Sequence, residues 1–163
     1  MTQLIPEDVV ELFESGVSIL VGTRDANCLP EATRGVGALV HPDRRRLTVF
    51  LPKETSARAV ANLRDNGQVA VGFSAALDHR TLQVKGILEE IRDANEDERQ
   101  VIARYHGAFI EVLYFTGIPR ALAKHLTVWP SLAVTFRATD IFHQTPGPNA
   151  GALMSSFEAA PSK

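Results

Sequence analysis

The stretch LTVFLPKETSARAVANLRDNGQVAVGF, residues 47–73, places two apolar β-type runs on either side of a polar turn and a short amphipathic segment. The first run ends at Pro52, and the second, QVAVGFSA, follows the turn residue Gly67. Between them a helix is expected to open with Thr55, Ser56 and Arg58 crowded at its N-terminal end. A helix N-terminus presents unpaired backbone N–H groups and partial positive charge, so it can seat a phosphate. The same residues also suit an ordinary N-cap beside a solvated arginine, and the sequence leaves both readings open.

Working outward, VSILVGTR and EATRGVGALV read as strands joined by the polar turn DANCLP, and HPDRRR turns the second into LTVFL. Downstream, TLQVKGILEEI sets Thr81, Gln83 and Lys85 on one face, with Leu82, Val84 and Leu88 on the other. Val9, Leu12 and Phe13 predict a short opening helix after Pro6, ended at Gly16. Asn95 with Glu98 reads as a capping box. Ile102, Tyr105, Phe109 and Val112 continue behind it as the longest helix, broken at Gly117 and Pro119. RALAKHL resumes as a short helix, and SLAVTFRA restores a strand. About six antiparallel strands with inserted helices predict a mainly β protein, a small split β-barrel, rather than a parallel α/β sheet. Residues 1–163 are expected to form one domain, with 152–163 as a loose tail rich in Pro, Ser and Ala.

Composition narrows the function classes. With 163 residues and 45% hydrophobic content, the chain can bury one sizeable core. A net charge of −2 gives no support to a nucleic-acid or anionic-membrane partner, and no apolar run reaches membrane-spanning length. The single cysteine, Cys28, allows no internal disulfide, and the acidic opening segment is unlike a signal peptide; a cytoplasmic protein is expected. His41, His79, His106, His125 and His143 show no metal-ligand spacing, so no metal is assigned. No nucleophile motif, P-loop or dinucleotide glycine fingerprint occurs. Arg34 stands in a strand beside Gly35 and Gly37, which leaves room for a ligand near a fixed cation, or else marks a bulged strand with a solvated arginine. Gln83 and Lys85 can line a cleft or simply form a wet strand face. Trp129, before Pro130, can cover a flat ligand or pack.

In order along the chain, PEATRGVGALV, LTVFLPKETSARAVANLRDNGQVAVGF, RTLQVKG and WPSLAVTF leading to FHQTPGPNAG resemble the FMN-binding split-barrel family related to pyridoxamine 5'-phosphate oxidase. The resemblance runs from about residue 17 to 151. It implies a six-stranded antiparallel barrel, a homodimer and one FMN in each of two interface clefts. It further implies a flavoprotein oxidoreductase acting on a small molecule, with Arg34, Gly35, Val36, Thr55, Ser56, Arg58, Gln83 and Trp129 around the cofactor. Ser56 and Arg58 would hold the phosphate, Arg34 would reach it from its strand, and Trp129 with the QTPGP loop would come over the cleft from the partner. The oxidase pattern carries a second base where this chain has Ala57, and a lysine where it has Leu39. The oxidase's C-terminal substrate segment has no counterpart. A deazaflavin-dependent reductase, or a non-catalytic flavin- or haem-binding module with His79 or His125 as haem ligand, are the alternatives on the same barrel.

Overall fold

The computed structural model describes residues 4–157. Its elements run α1 (Glu7–Glu14), β1 (Ser18–Arg24), β2 (Pro30–Gly35), β3 (Gly37–Val40), β4 (Arg46–Pro52), α2 (Ala57–Asn66), β5 (Gln68–Ser74), β6 (Thr81–Asp93), α3 (Glu96–Phe115), α4 (Arg120–Ala123), β7 (Ser131–His143) and β8 (Leu153–Ser156). Every strand pairing is antiparallel. The order across the sheet is β2-β1-β5-β6-β7-β4-β3, and β8 adds to β7.

The two ends of that path, β2 and β3, are consecutive in the chain and separated only by Val36. The sheet must therefore curl until its ends meet at one residue, which makes an open, barrel-like shell. EATRGVGALV, expected as one strand, is thus two strands with different partners: β2 pairs with β1 and β3 with β4. Val36 sits at the corner and donates its N–H to the Phe50 carbonyl at 2.9 Å. Close packing explains the flanking glycines. A Cβ on Gly35 would lie 2.6 Å from Ile19 Cγ2 and 3.0 Å from Val49 Cγ1, and one on Gly37 would lie 3.2 Å from Phe50 Cδ2.

The strands number eight rather than six: one comes from this break and the other is β8. Residues 152–157 are not the loose tail expected of them. Gly147 (φ +149°) and Gly151 (φ +86°) take backbone conformations that turn the chain back along β7. The Phe157 N–H then donates to the Thr139 carbonyl at 2.7 Å, and its ring, 8% exposed, joins the main core. The rest of the expected tail, 158–163, lies outside the described residues.

Alternating inward side chains build that core, among them Ile19 and Val21 of β1, Val71 and Phe73 of β5, Leu82 and Val84 of β6, and Phe136 of β7. α1 adds Val9 and Phe13, whose ring stacks on Phe73 at 4.0 Å, and α2 adds Val60 and Leu63. The capping box of α3 is present: Asn95 Oδ1 accepts from the Glu98 N–H, and Glu98 Oε2 accepts from the Asn95 N–H, both at 2.9 Å. α3 packs Ile102 against Phe50 and Ala133, and its Tyr105 hydroxyl donates to the Phe13 carbonyl at 3.1 Å. This holds α3 against β3 and the Val36 corner. Among the described residues no helix is long and apolar enough to cross a membrane.

Candidate functional site

The corner that closes the sheet also opens a cavity of about 420 Å³. Its floor is Ala32–Val36 of β2 and the corner, with Ser18 and Ile19 of β1 beside it; Pro52 and Thr55 form one rim. Tyr105, His106 and Phe109 of α3 and residues 125–128 after α4 form the opposite wall. The volume falls within the usual range for small-molecule sites.

Electrostatics give the cavity a sign. Its charged and titratable lining groups are Arg34, Tyr105, His106 and His125, with no carboxylate among them. Arg34 points outward, donating to Ser18 Oγ at 3.4 Å, and its guanidinium lies 5.7 Å from the centre of the Phe109 ring. Burial lowers the pKa of His106 and raises that of Tyr105, so both favour their neutral forms at pH 7. An acid-free recess with a guanidinium on its floor favours an anion.

Of the residues singled out in the sequence, Arg34, Gly35, Val36 and Thr55 converge on this cavity. Thr55 is tied to the floor strand, its carbonyl accepting from Thr33 Oγ1 at 3.3 Å. The remaining four do not line it. Ser56 is the residue preceding α2, but its buried hydroxyl donates to the Pro52 carbonyl at 2.7 Å and makes no capping bond. Arg58, its side chain 73% exposed, pairs with Glu31 of β2 at 3.3 Å. Trp129 packs in the cluster around Phe50, with the Arg99 guanidinium 5.3 Å from its ring centre. Of the two imidazoles considered for haem, His125 lies on the cavity wall, and His79 is exposed before β6 with φ +60°.

Gln83 connects to the cavity through the sheet. Residues paired across antiparallel strands share a face, and the register aligns Arg34, Leu20, Gly72, Gln83 and Phe142 in one row on the outer face. Arg34 and Gln83 are three strand spacings apart, about 14 Å. Gly72 lies between them, and Gly22 is in the neighbouring row. A Cβ on either would meet nothing nearer than a backbone oxygen, at 3.9 and 3.6 Å respectively. Packing within the chain does not require glycine at these two positions, unlike at Gly35. Glycine in a strand interior with open space above it suits the close approach of something lying on the sheet.

As cavity-lining residues His106, Phe109 and residues 126–128 were not picked out from the sequence; His125 was considered there only as a haem ligand, and Phe109 only as part of a helical repeat. The available signal was helical spacing: His106 and Phe109, three apart, share a face beside the core residue Tyr105.

No family model matches the chain, and no curated protein matches it. Solved structures do. A Lactobacillus delbrueckii protein, provisionally assigned as a pyridoxamine 5'-phosphate oxidase, aligns at 16% identity over 87% of this chain and 99% of its own, with a TM-score of 0.54. The fold is that of the pyridoxamine 5'-phosphate oxidase-like split barrels. An F420 reductase shares this split barrel at 15% identity over 84% of this chain and 98% of its own, TM-score 0.55. HutZ, the haem storage protein of Vibrio cholerae, shares it at 15% identity over 86% and 95%, TM-score 0.51. These names attach different chemistries to one split barrel, so the choice of ligand rests on the site's own residues.

Proposed function

We propose that the chain is an FMN-binding oxidoreductase that works as a two-fold homodimer in the cytoplasm on a small organic substrate. The observation that carries this reading is the acid-free cavity with Arg34 on its floor, continuous with an outer sheet row that runs over Gly72 to Gln83. An anionic group would be held at Arg34 and Thr55, and a flat apolar body would lie along the row, with Gln83 offering hydrogen bonds to its polar edge. Bound there, a flavin would supply the hydride or electron transfer for which the chain has no nucleophile motif of its own. The protein's part is to position the ring, exclude water and fix the phosphate. Leu20, 56% exposed, and the glycine-lined outer face give a second copy of the chain a surface to pack on and cover the ring.

The test is the absorbance of the purified protein, followed by titration with FMN and riboflavin. Flavin absorbance should be present or be acquired with FMN. Arg34→Ala should weaken FMN about ten- to a hundredfold, as loss of a charge-assisted hydrogen bond implies, and leave riboflavin nearly unchanged. A deazaflavin band or a Soret band would replace this reading with a deazaflavin-dependent reductase or a haem-binding module. Equal loss for both flavins would remove Arg34 from the phosphate.

A further inference from the structure

On the flavin reading, we propose that His106 of α3, with His125 on the same cavity wall, supplies the additional cationic contact to the cofactor's phosphate that the N-terminal end of α2 does not. The end of α2 is poor in free cations. Ala57 carries no base, Arg58 is paired with Glu31, and the Ser56 hydroxyl is turned to the Pro52 carbonyl. An anion at Arg34 and Thr55 instead faces the inserted helical arm. His106 and Phe109 share one face of α3, and the Arg34 guanidinium lies against Phe109, so the imidazole and the guanidinium converge on one recess.

The other charged or titratable groups that line the cavity are Arg34 of β2, on the floor, and Tyr105 of α3 and His125 after α4, on the same wall as His106. Tyr105 is committed elsewhere, since its hydroxyl donates to the Phe13 carbonyl and burial keeps it protonated. Glu14 and Arg104 line a separate hollow on the other side of Tyr105. With no carboxylate on the wall, a phosphate dianion is the group that would bring out a positive His106. Burial favours the neutral imidazole in the free protein, and the anion then favours the charged one, so binding takes up a proton. Affinity therefore rises as pH falls through the bound-state pKa toward the free-state value. Below about pH 6 the phosphate's own second protonation opposes the gain.

The experiment titrates FMN and riboflavin into the full chain by quenching of flavin fluorescence at pH 6.5 and 8.5. FMN should bind the wild type about tenfold more tightly at pH 6.5, within the limit of tenfold per pH unit for one proton, and riboflavin should bind equally at both. His106→Gln should weaken FMN about tenfold at pH 6.5, do little at pH 8.5 and leave riboflavin unchanged. Circular dichroism checks its fold, and His125→Gln, at an exposed position, serves as the second variant with a smaller loss of about threefold. A pH response retained in both variants, or shared by riboflavin, overturns the proposal. If Arg34→Ala weakens FMN while neither histidine variant does, the histidine assignment fails and the flavin reading stands. If neither flavin binds, the reading fails and this inference falls with it.

Discussion

Replacing Gly72 by valine separates what the fold needs from what the site needs. A Cβ at Gly72 meets nothing closer than the Leu20 carbonyl oxygen at 3.9 Å, so a branch point there is accommodated on the outer face. Glycine in a strand interior costs about 0.5–1 kcal/mol relative to alanine, and valine adds strand preference. The variant should therefore be more stable by at least about 0.5 kcal/mol. For a chain of this size that raises the unfolding midpoint by about 1–4 °C. The same side chain fills the space between Arg34 and Gln83, where the proposed ring lies. Overpacking of this kind costs about 1–3 kcal/mol, or a roughly five- to 150-fold loss of FMN affinity. Calorimetry at a concentration where both proteins sediment as monomers gives the first quantity, and fluorescence titration the second. A midpoint that drops would show that the fold itself demands glycine here. A raised midpoint with unchanged affinity for FMN would show that nothing binds on this face.

Two further outcomes follow from the described contacts. Ending the chain at Gly151 removes β8 and the buried Phe157 ring, so stability should fall by about 3 kcal/mol and the midpoint by about 6–12 °C; an unchanged melt would return the segment to a loose tail. The side-chain hydrogen bond from Arg92 holds Glu98 below its usual 4.5, so its contribution is present above pH 4.5 and is lost as pH falls through the folded value. Glu98→Gln should therefore lower stability by about 0.5 kcal/mol at pH 7, a difference that shrinks as pH falls below 4.5 in a pH series of thermal melts.

The antiparallel strands were legible because inward residues such as Val69, Val71 and Phe73 alternate with outward ones, and a period of two is a local property. The break at Val36 was not. Gly-Val-Gly reads as uninterrupted strand until the partners on either side are known, and those partners, β1 and β4, are set by the curl of the whole sheet. β8 was hidden for a related reason: its ladder is supplied by β7, while its own neighbourhood of Pro, Gly and Ser looks like a tail. At the site, Arg34 and Thr55 could be found from their neighbours in sequence. Ser56 and Arg58 looked equally suitable, but the competing partners Pro52 and Glu31 depend on how α2 is seated. His106 enters only through the packing of α3 across the corner, which no local pattern encodes.

The pairing of β4 with β7 has a consequence for synthesis. Arg46 lies opposite Arg137 and Pro52 opposite Ser131, so β4 waits for its second partner until β5, β6 and both later helices have been made. All but one of its residues are buried in the finished protein, and a β-rich apolar segment with an unpaired edge is prone to stick to its like. Pairings this far apart in the chain also form slowly, because the intervening loop must be closed before any contact rewards it. A ribosome stalled anywhere before β7 would thus present an adhesive strand, and the yield of this protein in a cell should depend on how quickly synthesis passes that point or on a chaperone that shields β4 until it does.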